Sequence, residues 1–175
     1  MTTPPVTMPS PTIRPFVADD LPALQRIREA AFAPVFRSFR EIVGPQIAMH
    51  AFAAADTDQA RLLDDICDAG SAHRVRVVEA AGQVVGFVTF TINASDQVGE
   101  IGLNAVDPAH AGRGIGSWMY RLVLAEMQTL GAVVATVGVG GDPSHAAARS
   151  AYSKAGFGPG IPSLTLYRLL APGTD

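Results

Sequence analysis

The chain has 175 residues, enough for one domain with a full core, and its 48% hydrophobic against 17% charged residues exclude a largely disordered polymer. Its net charge of −3, with no block of Lys or Arg, argues against a nucleic-acid-binding surface. Cys67 is the only cysteine, which excludes an internal disulfide and a thiolate metal cage and suits a reducing compartment.

Residues 1–11 contain Pro4, Pro5, Pro9 and Pro11 and read as a flexible tail ahead of a single domain over 12–171. The N-terminus lacks the charged start and apolar run of a signal peptide, and no stretch reaches the roughly 18–20 apolar residues of a transmembrane helix. The expectation is a soluble cytoplasmic protein. Ile13–Phe16 reads as an opening strand. Asp19, Asp20 and Pro22 then start a helix, with Leu24, Ile27, Ala30 and Ala31 at helical spacing. A second helix is predicted over Ser38–Ala55 and a third from Asp56 to Cys67 or Ala69, stopped by Gly70. The period then changes to two. Arg74–Ala80 and Gln83–Ile92 flank Ala81-Gly82 as a hairpin, and Gln97–Val106 follows as a third strand. A helix over 114–130, a strand over Ala132–Val139, a helix over 145–155 with Ser144 as N-cap, and a last strand over Leu164–Leu169 complete the order. Hairpin-joined strands leading into a β-α-β crossover make a mixed sheet, with Gln97–Val106 central, in a three-layer α/β or α+β fold.

The densest signal is Val106-Asp107-Pro108-Ala109-His110-Ala111-Gly112-Arg113-Gly114-Ile115-Gly116, followed at once by an amphipathic helix. Side-chain-free backbone at a helix N-terminus lets a large anion meet unpaired N–H groups and the positive end of the helix dipole. A tight turn that merely needs positive φ is the plain alternative. No Lys follows the glycines, as a P-loop requires, and Ser117 stands where a dinucleotide fingerprint needs its last glycine.

This segment resembles the acetyl-CoA signature of the GNAT acyltransferase superfamily, [Gln/Arg]-x-x-Gly-x-[Gly/Ala]. Downstream, Ala148-Arg-Ser-Ala-Tyr152-Ser-Lys-Ala-Gly156-Phe157 resembles that family's Asn-x-x-Ala-x-x-Leu-Tyr-x-Lys-x-Gly-Phe segment. The resemblance implies a three-layer fold with a mixed, mostly antiparallel sheet, acetyl-CoA as co-substrate without a metal, and direct attack by a primary amine. It implies that the diphosphate rests on the turn formed by Ala111, Gly112, Arg113, Gly114, Ile115, Gly116 and Ser117. The pantetheine arm would run beside Asn104, Ala105 and Val106, with a backbone N–H near Val106 polarising the thioester carbonyl. Tyr152 occupies the position of the family's proton donor to the leaving thiolate, and dimerisation is common in the family. The pattern is broken at Ala111, where the family carries Gln or Arg, and at His145, where it carries Asn. A histidine can still donate to a phosphate or pantetheine oxygen.

Strand alternation over Gln97–Val106 places Ile101, Leu103 and Ala105 on one face and Glu100, Gly102 and Asn104 on the other. Glu100 also lies eleven residues before Ala111, the spacing at which some family members carry a general base. It reads as that base or as an ordinary solvated strand glutamate. Tyr152 reads as the acid or as a core aromatic beside Phe157. Phe32, Phe36 and Phe39, interleaved with Arg37 and Arg40, read as a cover for the acceptor or as a helix-packing patch. A non-catalytic acyl-CoA sensor on the same fold is the alternative function. The acceptor itself is not legible.

Overall fold

The computed structural model describes residues 10–170, so positions 1–9 of the expected tail and the domain end at 171 lie outside the described residues. Five strands form one sheet in chain order: β1 (Thr12–Pro15), β2 (Arg74–Ala80), β3 (Gln83–Asn93), β4 (Val98–Val106) and β5 (Val134–Val137). The first four are antiparallel neighbours and β5 joins β4 in parallel, which makes the sheet mixed. The centre is β3; β4 lies one strand from the edge, not at the middle.

Helices α1 (Leu21–Val43), α2 (Pro45–Ala51) and α3 (Ala55–Cys67) precede the hairpin, and α4 (Ile115–Thr129) and α5 (Ala146–Lys154) flank β5 in sequence. Leu24, Ile27, Leu63 and Ile66 from α1 and α3 bury Val75, Val77, Phe87 and Ala105 on one sheet face. Met119, Val123 and Met127 of α4, with Tyr152 of α5, bury Val78, Val88, Phe90 and Ile101 on the other. Apolar side chains at period two in the strands and at helical spacing in the helices close both layers.

Ala81 and Gly82 both take positive φ, 51° and 75°, as the tight β2–β3 hairpin turn requires. Arg14 on β1 fixes the start of α1 to the sheet. Its guanidinium donates to both Asp20 carboxylate oxygens at 2.7 Å and to Glu79 on β2 at 2.7 Å. That pairing holds the Asp20 carboxyl below the usual carboxylate range, against the opposing effect of burial. Asp20 spends its side chain on this contact and on the Val17 amide, so it makes no N-cap bond.

Two expectations are corrected. The first helix does not stop near Ala31 for a loop and a new helix at Ser38; α1 is continuous over 23 residues and passes through Pro34. The carbonyl of Ala30 that Pro34 leaves without a donor belongs to an exposed residue, while buried Val35 and Phe36 hold the turn against the protein. Leu164–Leu169 is not a strand. It runs as exposed chain without a ladder partner among the described strands.

Candidate active site

The β4 strand is interrupted by a bulge. Val88 faces Asn104 and Phe90 faces Ile101, so Thr89 alone opposes both Gly102 and Leu103. A Cβ on Gly102 would come within 2.8 Å of the Thr89 hydroxyl oxygen, which is buried and has no hydrogen-bond partner among the described residues. Strict alternation therefore fails at this point. Glu100, opposite Thr91, lies on the α1/α3 face with Leu103 and Ala105, whereas Asn104 turns to the α4/α5 face. The expectation that Glu100 and Asn104 share a face is overturned, since one extra residue reverses every side chain beyond it. Glu100 is exposed and unpaired among the described residues.

The bulge also marks where the sheet opens. The β4–β5 ladder runs only from Val98↔Val134 to Ile101↔Val137, so a gap begins beyond Ile101 on one side and Val137 on the other. The Asp107 amide donates back to Val85 at 2.8 Å. Alternation of backbone groups along an antiparallel strand then directs the Val106 and Asn104 amides away from β3, into that gap.

On the α4/α5 face, Asn104 stands between two tyrosines whose rings lie 4.6 Å apart. Tyr120 donates to Asn104 Oδ1 at 2.7 Å, and Asn104 Nδ2 donates to Tyr152 Oη at 3.0 Å and to the Gly102 carbonyl at 2.8 Å. Phe157 meets the Tyr152 ring edge-on at 5.7 Å. Burial raises the Tyr152 phenol above its ordinary value, and the bonds to Asn104 and Tyr120 pull against it. The ring is thus both core aromatic and hydrogen-bonded phenol. Its strongest bond is one it accepts, which leaves its own proton only a 3.3 Å contact with Asn104 Oδ1.

At the turn, Gly112 and Gly114 adopt φ of 75° and 79° and a Cβ on either would touch nothing within 4 Å. Gly116 differs: its position would bring a Cβ 3.7 Å from Ala151, a contact between α4 and α5. Among the described residues, no group accepts a hydrogen bond from the backbone amides of residues 112 to 117. Ala111 is excluded from that set, because its amide donates to Pro108 at 3.2 Å. Ile115 is buried at the first turn of α4, and the Ser117 hydroxyl donates to Gly114. Arg113 folds back to the Ala109 carbonyl at 3.2 Å. Asp107 steadies the approach. It accepts from Ala109 and from Arg26 of α1 at 2.8 Å, and chiefly the latter depresses its carboxyl.

The opposite wall of the gap leads into a polar knot that the sequence reading missed. Asp142 accepts from Ser38 Oγ of α1 at 2.9 Å, from the Ser144 amide at 3.1 Å and from the Ser144 hydroxyl, and pairs with His145 Nδ1 at 2.6 Å. Burial opposes the Asp142 charge, but these donors together hold the carboxyl well below its usual range. Phe39 stacks on the imidazole at 5.8 Å, and a Cβ on Gly140 would fall 2.5 Å from His145 Nδ1. The carboxylate at Nδ1 favours the Nδ1–H tautomer, so a neutral His145 presents Nε2 as an acceptor and donates there only when protonated. Ser144 does not cap α5: Asp142 caps a 3-10 turn over Pro143–His145 that leads into the helix, and His145 stands at the N-cap of α5 without a side-chain cap bond. Asp before Pro is the signal that could have found the turn. The aromatic and arginine residues expected after the first helix lie within α1 and divide: Phe39 reaches His145, while Phe36, Arg37 and Arg40 line a separate groove of about 700 Å³ against α2.

The fold and this constellation define an acyltransferase-like architecture. The profile of the "Acetyltransferase (GNAT) family" matches residues 37–157, and the chain belongs to that family. Solved structures of similar fold include the ribosomal-protein-S18-alanine N-acetyltransferase from Escherichia coli (17% identity, TM-score 0.62, covering 87% of this chain and 80% of that one). The paia N-acetyltransferase from Thermoplasma acidophilum, solved in complex with coenzyme A, is 18% identical with TM-score 0.62, over 85% of this chain and 90% of its own. The aminoglycoside antibiotic 6'-N-acetyltransferase from Acinetobacter haemolyticus is 11% identical with TM-score 0.62, over 91% and 99%. No curated protein matches the chain in sequence. Among the described residues, no helix is long and apolar enough to cross a membrane.

Proposed function

We propose that this chain transfers an acetyl group from acetyl-CoA to a primary amine, with both reactants held at once. The observation that carries the reading is a set of free amides over 112–117 beside a gap in the sheet, with Glu100 on one face and Tyr152 on the other. The fit to a diphosphate rests on those amides and on the open space at Gly112 and Gly114. When bound, the thioester supplies an activated acetyl group. The amides of residues 112 to 117 and the dipole of α4 neutralise the diphosphate, Arg113 adds a positive charge at the rim, and His145 lies at the far wall. Asn104, Ala105 and Val106 line the gap, and the Val106 N–H meets the carbonyl oxygen as charge develops on it. Glu100 accepts the ammonium proton, directly or through water, and Tyr152 gives its proton to the departing sulfur. Positioning both reactants in one gap supplies much of the rate gain.

The test is release of free CoA from acetyl-CoA across a panel of polyamines, aminoglycosides, lysine and peptide N-termini. The expected result is turnover with at least one amine, reduced about 10- to 100-fold by Tyr152→Phe at unchanged CoA affinity. Tight binding with no turnover on any amine would instead identify an acyl-CoA sensor.

A further inference from the structure

Tyr120 is 4% exposed, on the stripe of α4 that also buries Met119, Val123 and Met127, and the chemistry proposed above gives it no task. An apolar side chain would fill this place and need no partner. A buried phenol bound to the half-buried Asn104 adds nothing that packing requires, since replacing both members of such a pair by apolar groups is close to neutral. The arrangement is also directional. The Gly102 carbonyl can only accept, so its 2.8 Å contact fixes the Asn104 amide with Nδ2 on that side and Oδ1 towards Tyr120. Both N–H groups of Nδ2 are then spent, one on Gly102 and one on the Tyr152 oxygen at 3.0 Å. Tyr120 donates to Oδ1 at 2.7 Å. The bonds therefore run one way, from Tyr120 through the amide into the Tyr152 oxygen, and they leave the Tyr152 proton free to go elsewhere.

Burial, reinforced by the neighbouring Tyr152 phenol, pushes the Tyr120 phenol far above its ordinary value. Tyr120 thus keeps its proton and serves as a fixed donor. We propose that Tyr120, acting through Asn104, is a positioning residue that stabilises the Tyr152 phenolate formed as the thiolate leaves. The inference rests on the acetyl transfer proposed above. In that step the Tyr152 O–H bond breaks and an S–H bond forms on the departing sulfur, which leaves a negative charge on the phenol oxygen. Asn104 Nδ2 already points a hydrogen at this oxygen, and the Tyr120 bond polarises the amide and makes that hydrogen a better donor. Water entering through the gap returns a proton to Tyr152 after the thiol departs. Because the β4 bulge is what turns Asn104 to this face, bulge and acid support are one device.

Tyr120→Phe keeps the ring, 4.6 Å from that of Tyr152, and removes only the hydroxyl. With an amine that turns over, kcat should fall about 3- to 10-fold while KM for acetyl-CoA and for the amine stays unchanged. The alkaline limb of the kcat profile should move up by about one pH unit, because a phenolate with a weaker donor forms less readily. In a Tyr152→Phe background the same substitution should have no further effect. A second readout needs no turnover. Tyr120, Tyr152 and Tyr167 are the only tyrosines, so their labelled Cζ carbons give three NMR signals to titrate. The Tyr152 ionisation should move to higher pH in Tyr120→Phe and likewise in Asn104→Leu. An unmoved Tyr152 titration, or an equal loss of kcat in the Tyr152→Phe background, would overturn the assignment. If no amine turns over, the acetyl transfer fails, and the titration alone still decides whether Tyr120 stabilises the phenolate.

Discussion

At the scale of single residues, the three alternate glycines turn out to have two different jobs. Gly112 and Gly114 are needed for their backbone angles, whereas Gly116 serves the approach of α5. Alternation in the sequence cannot separate these jobs, because it carries no information on φ or on which helix will pack nearby. A valine at 114 would find space for its Cβ but would be strained at φ 79°, turning the amides out of line. Gly114→Val should therefore weaken CoA binding about tenfold or more by calorimetry, with the fold intact by circular dichroism. Gly116→Ala, whose Cβ meets only an ordinary 3.7 Å contact, should bind within about threefold of the parent chain. The position of Tyr152 was readable from its motif, but its anchoring by Asn104 was not. That contact exists only because the β4 bulge swings the amide across the sheet.

At the scale of elements, the helices and strands that bury a regular stripe were legible, and the irregular ones were not. The β2–β3 hairpin follows from Ala81-Gly82, and α3 and α4 fall within a residue or two of their expected ends. The first helix runs on through Pro34 because a proline costs little on the exposed side of a helix. The last strand differs: its local pattern is sound, but a strand exists only with a neighbour. The bulge left no trace in composition beyond Gly102 itself. Its buried, unpaired Thr89 hydroxyl is a local cost that the fold tolerates. Thr89→Val keeps the shape and removes the orphan, so it should stabilise the chain by about 1 kcal/mol in urea unfolding. A loss of stability would mean that the hydroxyl has a partner in solution.

For the whole molecule, three carboxylates stitch α1 to the layers around it: Asp20 through Arg14, Asp107 through Arg26, and Asp142 through Ser38. All three titrate below their ordinary range when folded. The folded state then binds fewer protons than the unfolded chain, so their stabilisation is complete above the unfolded value of about 3.9 and fades as pH falls through the lower folded values. Asp142→Asn should melt below the parent protein at neutral pH, with the difference shrinking progressively as the pH falls below about 3.9. A gap between the variants that persists unchanged in acid would show that Asp142 acts through something other than its charge. The bulge at Gly102 has one more consequence, for traffic. On the function proposed above, with Glu100 and Tyr152 on opposite faces the sheet would be a partition pierced by one slot, with only the acetyl group common to both sides. Acceptor and coenzyme would then have separate doors, so either could arrive first and neither would have to leave for the other to enter.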